Sequence, residues 1–221
     1  MSTTDIFVSV GRTFTRAQEE FVQAVESRLR SEGFNPRTVG RNTFSADDPL
    51  KHVVELLDKC SGTVVIALER LYFPTGTERR GGGKDDEVSL IDTCLATPWN
   101  QIEAALSYGR GLPLLVIVAK EIRGDGLLDR TFGWYVQRVA IGPDALSSNE
   151  FNGVFASWKT KVAEFPKGKQ ARQLPSDPAE LPVGKLLAAL KPAQVWSLLG
   201  AIIALLAAAF ALGAKFPALL H

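Results

Sequence analysis

The sequence predicts an α/β fold, a flavodoxin-like parallel sheet of five strands with helices on both faces. Two observations predict this fold. Segments typical of strands alternate along the chain with segments typical of helices, which indicates parallel strands joined by helical crossovers. The strand segments are also continuously apolar, as in sheets that are covered on both faces. All of these segments lie within residues 1–165 of the 221-residue chain, which we take as the α/β domain.

The first strand and the first helix have distinct signals. The stretch "DIFVSV" at 5–10 is short, apolar and β-rich. Thr15 followed by Gln18 matches a capping box, and Gly33 is typical of a helix end. The helical spacing predicts an inner face made of Phe14, Ala17, Phe21, Ala24, Val25 and Leu29. A weak second strand follows at 35–39.

A second helix and a third strand come next. Asp48 and Pro49 predict the start of the helix, because proline is favoured at the first helical position. The residues predicted to face inward from this helix are Leu50, Val53, Val54 and Leu57. The stretch "GTVVIAL" at 62–68 is a strong strand signal.

Residues 69–96 are predicted to form a long loop. Its charged, glycine-rich part is "ERRGGGKDDE" at 78–87. This part does not match the phosphate-loop pattern, because Lys84 is followed by Asp85 where that pattern needs Ser or Thr. We therefore expect a flexible, solvated loop at the rim of the sheet, in the position of a lid or a partner surface.

Four further segments complete the α/β domain. Thr97 is the predicted cap of a third helix at 98–110. The stretch "LPLLVIVA" is continuously apolar and predicts a fourth strand. The remaining predicted bounds are 112–119 for this strand, 134–141 for a fifth strand and 151–165 for a last helix.

Composition and charge give no support to nucleic-acid binding or to a cysteine-based metal site. The chain has 25 basic and 24 acidic residues and a formal net charge of +1, which gives no electrostatic argument for nucleic-acid binding. Cys60 and Cys94 show neither metal-ligand spacing nor a disulfide framework. We therefore expect ordinary apolar cysteines in a reducing compartment, and no metal site.

The C-terminal part of the chain has a different composition. Residues 166–182 are rich in proline and charge, which predicts a linker. A short juxtamembrane helix is predicted at 183–191. Residues 192–214 are 23 consecutive uncharged residues, long enough for a transmembrane helix, and a short tail follows at 215–221.

The flanking charges predict the orientation of this transmembrane helix. Lys185 and Lys191 precede it closely, whereas only Lys215 follows it. The positive-inside rule then places the α/β domain in the cytoplasm, held by a single-pass C-terminal anchor. Small residues repeat at four-residue spacing along the span, at Gly200, Ala204 and Ala208. Such a face favours helix association, so we expect self-association within the lipid bilayer.

Candidate site residues lie where the predicted strands end, which is where ligands bind in sheets of this kind. Three of them are Ser9, Gly11 and Arg12, at the end of the first strand. Their backbone amides and the Arg12 guanidinium would bind the phosphates of a ligand. Trp99, in the first turn of the third helix, either stacks on a nicotinamide or adenine ring or covers the helix entrance. Glu103, one turn later, is either a working carboxylate or a solvated helix residue.

Several stretches of the α/β domain resemble a known family. The stretches "DIFVSVGRTFTRAQEEFVQAVESRLRSEGF" and "LDKCSGTVVIAL" resemble the opening and the third-strand region of Toll/interleukin receptor (TIR) domains. The stretch "PWNQIEAA" resembles the Ser-x-Trp-x-x-x-Glu segment of NAD-cleaving TIR domains, with Thr97, Trp99 and Glu103 in its three positions. The stretch "EAALSYGRGLPLLVIV" is similar to the glutamate segment of nucleoside deoxyribosyltransferase-like domains.

The resemblance implies a membrane-anchored, TIR-like effector of bacterial signalling or antiphage defence. Such an effector cleaves NAD at the nicotinamide–ribose bond upon self-association, with Glu103 as its catalytic carboxylate. NAD is then the substrate, and no cofactor is expected. One alternative is a nucleotide-sensing domain without chemistry, whose oligomerisation makes the transmembrane helices disrupt the membrane. Another alternative is a nucleoside deoxyribosyltransferase-like enzyme.

Overall fold

The computed structural model describes most of the α/β domain. The described residues are 3–46, 48–83, 86–130, 134–142 and 144–165. The linker, juxtamembrane helix, transmembrane helix and tail predicted after residue 165 lie outside the described residues. Within the described ranges, the structure contains no helix that is both long enough and apolar enough to cross a membrane.

The described part of the chain contains seven strands and four α-helices. The strands are β1 (Thr4–Val10), β2 (Phe34–Arg37), β3 (Thr63–Ala67), β4 (Leu71–Glu78), β5 (Val88–Leu95), β6 (Leu114–Ala119) and β7 (Val136–Val139). The helices are α1 (Arg16–Ser31), α2 (Pro49–Leu57), α3 (Pro98–Gly109) and α4 (Asn149–Glu164), with a 3-10 turn at Gly126–Leu128. The five strands predicted from the sequence begin and end within two residues of β1, β2, β3, β6 and β7.

Those five strands form one parallel sheet in the order β2-β1-β3-β6-β7. Counted without the hairpin strands, this is the flavodoxin-like order 2-1-3-4-5 that the sequence predicts. Ile6 and Val8 of β1 share an apolar cluster with buried residues of α1 and α4. Phe7, between them, packs in a second cluster with α2. Because successive side chains of a strand point to opposite faces, the helices cover both faces of the sheet.

The inner face of α1 differs in part from the prediction. Phe21, Val25 and Leu29 are buried as expected, together with Gln18, Val22 and Glu26. The predicted inward residues that are instead exposed are Phe14, Ala17 and Ala24. Phe14 precedes the helix, and its ring lies 4.6 Å from the Arg70 guanidinium. Gln18 is tolerated in the interior because its side-chain amide donates to the Glu69 carbonyl at 3.2 Å.

The inner face of α2 is narrower than predicted. Val53 and Leu57 are buried as expected, and Leu56 is buried beside them. Leu50 is exposed, and Val54 is only partly buried. Three residues at this spacing form a single apolar stripe on a helix, and this stripe packs with Phe7 of β1.

The predicted loop at 69–96 is wrong, because this segment forms a β-hairpin. Strands β4 and β5 pair antiparallel as a separate two-stranded sheet. Both strands are rich in β-branched and aromatic residues, which favour extended backbone. Pro74 argues against a strand in the sequence, but an edge strand tolerates proline. Only the glycine-rich tip retains the exposed turns that were expected of the whole segment.

The hairpin is attached at its root, directly after the carboxyl end of β3. The Arg70 backbone N–H donates to the Leu95 carbonyl at 2.9 Å, which closes the base of the hairpin. The Arg123 backbone N–H donates to the Cys94 carbonyl at 2.9 Å, and the Arg123 guanidinium pairs with the Glu78 carboxylate. The two backbone contacts hold the hairpin root at the same end of the sheet as the candidate site, and the Glu78 pair tethers the hairpin at the tip end of β4.

Both cysteines are free and buried. Cys60 packs in the second apolar cluster, and burial raises the pKa of its thiol to about 12. It is therefore a small apolar residue, as the sequence predicts. Cys94 lies in β5, where its thiol hydrogen-bonds to the Glu69 carboxylate at 3.2 Å.

Candidate active site

A cavity of about 280 Å³ lies beyond the carboxyl end of β1. Its lining residues are Val10, Gly11, Arg12, Val39, Pro49, Val53, Arg70, Thr97, Trp99 and Glu103. Four of the five candidate residues, all but Ser9, therefore meet at one cavity. Ser9 lies in β1 and is fully buried next to Glu103. The structure thus brings together the residues that the sequence proposed from strand ends and helix starts.

The start of α3 places Trp99 and Glu103 on the cavity. The Thr97 side-chain oxygen accepts a hydrogen bond from the Trp99 backbone N–H at 3.4 Å, and Pro98 occupies the first turn. Residues four apart share one face of a helix, so Trp99 and Glu103 both face the cavity. Trp99 remains 42% exposed. Its ring is therefore free to meet a planar ligand, in contrast to a packing residue buried under the helix entrance.

Glu103 is a buried carboxyl group. Its exposed fraction is 8%, which excludes the solvated-helix interpretation. Burial raises the pKa of Glu103 to about 7, and a hydrogen bond from the Ser9 side chain opposes this rise. Desolvation disfavours the charged form, so the carboxyl group populates both its acidic and its ionised form near neutral pH. Groups with such perturbed pKa values in clefts are typical of catalytic sites.

Asn100 supports this arrangement from below and has no counterpart among the candidates from the sequence. Its side chain is 1% exposed. Its amide nitrogen lies 3.0 Å from the Ser9 hydroxyl oxygen, 3.3 Å from the Ser9 carbonyl and 3.4 Å from the Ile66 carbonyl. Asn100 precedes Glu103 by three residues, which is the helical spacing that places two residues on one face. That spacing is the signal by which the sequence could have identified it.

Two guanidinium groups line the cavity. Arg12 follows β1, and Arg70 lies at the root of the hairpin. Neither side chain forms an ion pair with a described residue; Arg70 instead lies over the Phe14 ring. A guanidinium without a carboxylate partner is suited to bind phosphate through paired N–H groups. Arg70 follows the third predicted strand, at the edge of the sheet where the sequence places ligands, but the sequence does not distinguish it from its neighbours in 69–73.

Gly11 has a packing role at this site. A Cβ atom built on Gly11 would meet the Thr97 Cγ2 atom at 3.0 Å. The glycine therefore allows the end of β1 to approach the cap of α3 closely. This close approach brings the backbone after β1 next to the cap and the first turn of α3.

No protein-family model and no curated protein matches this chain. Membership of the TIR family, and the similarity to deoxyribosyltransferase-like domains, stay predictions that depend on the quoted residues. What the fold adds is the geometry of the site. Among the described residues, no group of three or more His, Cys, Asp or Glu side chains is placed to hold a metal ion.

The cavity combines three chemical features. Glu103 supplies a carboxylate that is shielded from water, Trp99 supplies an aromatic face, and Arg12 and Arg70 supply positive charge. A carboxylate in such a place can stabilise a positively charged sugar centre or bond to it. The combination fits a ligand that carries a ring, a sugar and a phosphate.

Proposed function

We propose that this chain is a TIR-like enzyme that cleaves NAD at the bond between nicotinamide and ribose. The observation that carries the proposal is the burial of Glu103 in a cavity that Trp99, Arg12 and Arg70 also line. Such a domain would act in signalling or defence when copies of the chain associate at a membrane.

The proposed reaction needs only one carboxylate. The nicotinamide ring of NAD is cationic, so it leaves as a neutral molecule and takes both electrons of the C–N bond. The ribose carbon then carries positive charge, which ionised Glu103 stabilises directly or through a transient ester bond. Water adds its oxygen to that carbon and releases a proton, which gives ADP-ribose. Burial strengthens the attraction between Glu103 and the cationic centre, because water no longer screens it.

The two guanidinium groups favour a nucleotide over a nucleoside as substrate. NAD carries two linked phosphates, whereas a nucleoside carries none. Arg12 and Arg70 have no carboxylate partner among the described residues, so a phosphate would be their counter-ion. This arrangement supports NAD cleavage over the deoxyribosyltransferase-like alternative, in which an uncharged nucleoside binds.

A second candidate function is nucleotide sensing without chemistry. A pKa of about 7 leaves a large share of Glu103 protonated at neutral pH, and a neutral carboxyl group binds a ligand without stabilising positive charge. In this case nucleotide binding would drive association of the chains and disruption of the bilayer. Loss of NAD and leakage of dye from liposomes, measured on the same purified full-length protein, separate the two functions.

The decisive experiment replaces Glu103 by glutamine. Glu103→Gln keeps the size and hydrogen-bonding capacity of the side chain but removes its charge. We expect release of nicotinamide from NAD to fall about 100-fold or more, as on loss of one electrostatic stabiliser. Glu55→Gln is the matched control, since Glu55 is a partly exposed residue of α2 that does not line the cavity and lies 3.8 Å from Lys51. Unchanged nicotinamide release by folded Glu103→Gln protein would rule out this catalytic role.

A further inference from the structure

The Gln18 side chain lies buried between two segments that border the cavity. It is 7% exposed. Its Oε1 atom accepts a hydrogen bond from the Phe14 backbone N–H at 2.9 Å, and its Nε2 atom donates to the Glu69 carbonyl at 3.2 Å. A backbone N–H can only donate and a carbonyl can only accept, so these two partners determine the orientation of the amide. Gln18 therefore links the loop after β1 to the root of the hairpin.

Both of these hydrogen bonds end next to Arg70. The Glu69 carbonyl belongs to the same peptide group as the Arg70 N–H, which donates to the Leu95 carbonyl at 2.9 Å. Because a peptide group is planar, it is held here from two sides, by Gln18 and by Leu95. Phe14, whose backbone Gln18 also binds, has its ring 4.6 Å from the Arg70 guanidinium. The backbone of Arg70 and the ring next to its side chain thus depend on the same glutamine.

The surroundings of Arg70 explain why its position depends on such links. Its side chain is exposed and forms no ion pair with a described residue. A long, exposed side chain of this kind has many rotamers, and a ligand that binds it must fix one of them. An aromatic ring stabilises a nearby guanidinium, but Phe14 is itself 56% exposed and is not held by the core. The hydrogen bond to its backbone is therefore what fixes Phe14 next to Arg70.

Helix capping alone does not account for a glutamine at position 18. Thr15 caps α1 by accepting from the Gln18 backbone N–H at 3.1 Å, and the Gln18 side chain bonds back to the preceding loop, much as in a capping box. A glutamate would accept the bond from Phe14 equally well, and its negative charge would also suit the N-terminus of a helix. What glutamine adds is the amide hydrogen that it donates to the Glu69 carbonyl. The donor side of Gln18 therefore serves the hairpin root and not the helix.

We propose that Gln18 is a positioning residue that keeps the Arg70 guanidinium at the cavity, where it binds the phosphates of the substrate. The role of the phosphates rests on the proposed function, whereas the two hydrogen bonds of Gln18 do not. Gln18 does not line the cavity itself, so it acts on a ligand through Arg70. Without the glutamine, the guanidinium keeps its charge but takes up other orientations, and ligand binding must then fix it.

The test measures the binding of ADP-ribose to the full-length chain by isothermal titration calorimetry. ADP-ribose carries two phosphates, and its binding requires no catalysis. Gln18→Met keeps the side chain uncharged and similar in size but removes both hydrogen bonds. It should weaken ADP-ribose binding about fivefold, because ordering a freed arginine opposes binding. In the Arg70→Gln chain the same substitution should cause no further loss, because a positioning residue acts only through the residue that it holds.

Two variants on the same helix are the controls. Gln23→Met makes the same substitution at an exposed glutamine, which bonds to Glu19. Thr15→Ala removes the cap of α1, and so lowers stability, while leaving the link to the hairpin root in place. Both variants should bind ADP-ribose with wild-type affinity. If Gln18→Met does not fold, Phe14→Leu takes its place at an exposed position and should show the same loss, since it removes the ring next to the guanidinium.

The outcomes separate this inference from the proposed function. Wild-type affinity in folded Gln18→Met protein, or a further fivefold loss when Gln18→Met is added to Arg70→Gln, overturns the inference. A wild-type chain that does not bind ADP-ribose overturns it as well, and NAD cleavage by the same preparation would then keep the proposed function. A chain that shows the expected affinities but never releases nicotinamide from NAD supports the inference and removes the proposed function.

Discussion

The Arg70 side chain offers a test of which part of a substrate the cavity recognises. Arg70→Gln removes the positive charge and keeps a polar side chain of similar reach. The guanidinium lines the cavity while lying 4.6 Å from the Phe14 ring, so it is held in place without a carboxylate partner among the described residues. A hydrogen bond to a charged group contributes about 1.5–3 kcal/mol, which corresponds to roughly a 10- to 150-fold change in affinity. Arg70 is exposed to solvent, which places the expected loss near the lower end, at about tenfold.

The assay compares two substrates in which the same kind of bond is cleaved. NAD and nicotinamide riboside have the same nicotinamide–ribose linkage, but only NAD carries the diphosphate. Arg70→Gln should lower kcat/KM for NAD about tenfold and leave that for nicotinamide riboside unchanged. Arg16→Gln is the control, since Arg16 is an exposed arginine of α1 that pairs with Glu20. Equal losses for both substrates, or no loss for NAD, would refute phosphate recognition by Arg70.

Two further predictions concern the stability of the α/β domain. Hydrogen bonds from Arg41, Thr13 and Gln23 lower the pKa of Glu19 to about 2 from its ordinary 4.5, so stability that is present above pH 4.5 is lost as the pH falls toward 2. The free energy of unfolding in urea should therefore differ less between pH 6 and pH 3 in Glu19→Gln than in the wild-type chain. An identical difference in the two chains would contradict this. Gly62→Ala places a Cβ atom 2.7 Å from Val162 Cγ2, and this overpacked contact should lower the free energy of unfolding by about 1–3 kcal/mol. Gly142→Ala is the control, because a Cβ atom there meets no atom within 4 Å, so this variant should unfold like the wild-type chain. Equal unfolding midpoints for the two variants would show that α4 adjusts freely.

The main sheet could be predicted from the sequence because its signals are local. Each buried strand is a continuous apolar run, and each of the first three helices begins at a residue whose side chain caps it. The Thr15 oxygen accepts from the Gln18 N–H at 3.1 Å, and Asp48 accepts from Leu50 and Lys51. Thr97 caps α3 in the same way. A cap acts within one turn of its own helix, so no distant contact is needed to recognise it.

The hairpin and the supporting residues of the site depend on distant contacts. Pro74 and the charged tip favour a loop locally, and only the pairing of β4 with β5, together with the attachment to Arg123, makes the segment a hairpin. Arg70 reaches the cavity because that hairpin has a fixed root. Asn100 is likewise polar and interior only because β1 and β3 offer it oxygens. Such partners are far apart in sequence, so helical spacing can place Asn100 on the face of Glu103 but does not show the oxygens that it contacts.

Because the base of the hairpin is closed by a hydrogen bond, its tip is a site at which additional sequence can be inserted. The bond between the Arg70 N–H and the Leu95 carbonyl joins the two ends of the hairpin before its tip begins. The tip carries an exposed glycine, Gly81, with φ 83°. A Cβ atom added to Gly81 would meet no other atom within 4 Å. Exposed tips of this kind accept added sequence without disturbing the core. A fluorescent protein or an affinity tag placed there would report on the full-length chain while the hairpin root and the cavity beside it keep their structure.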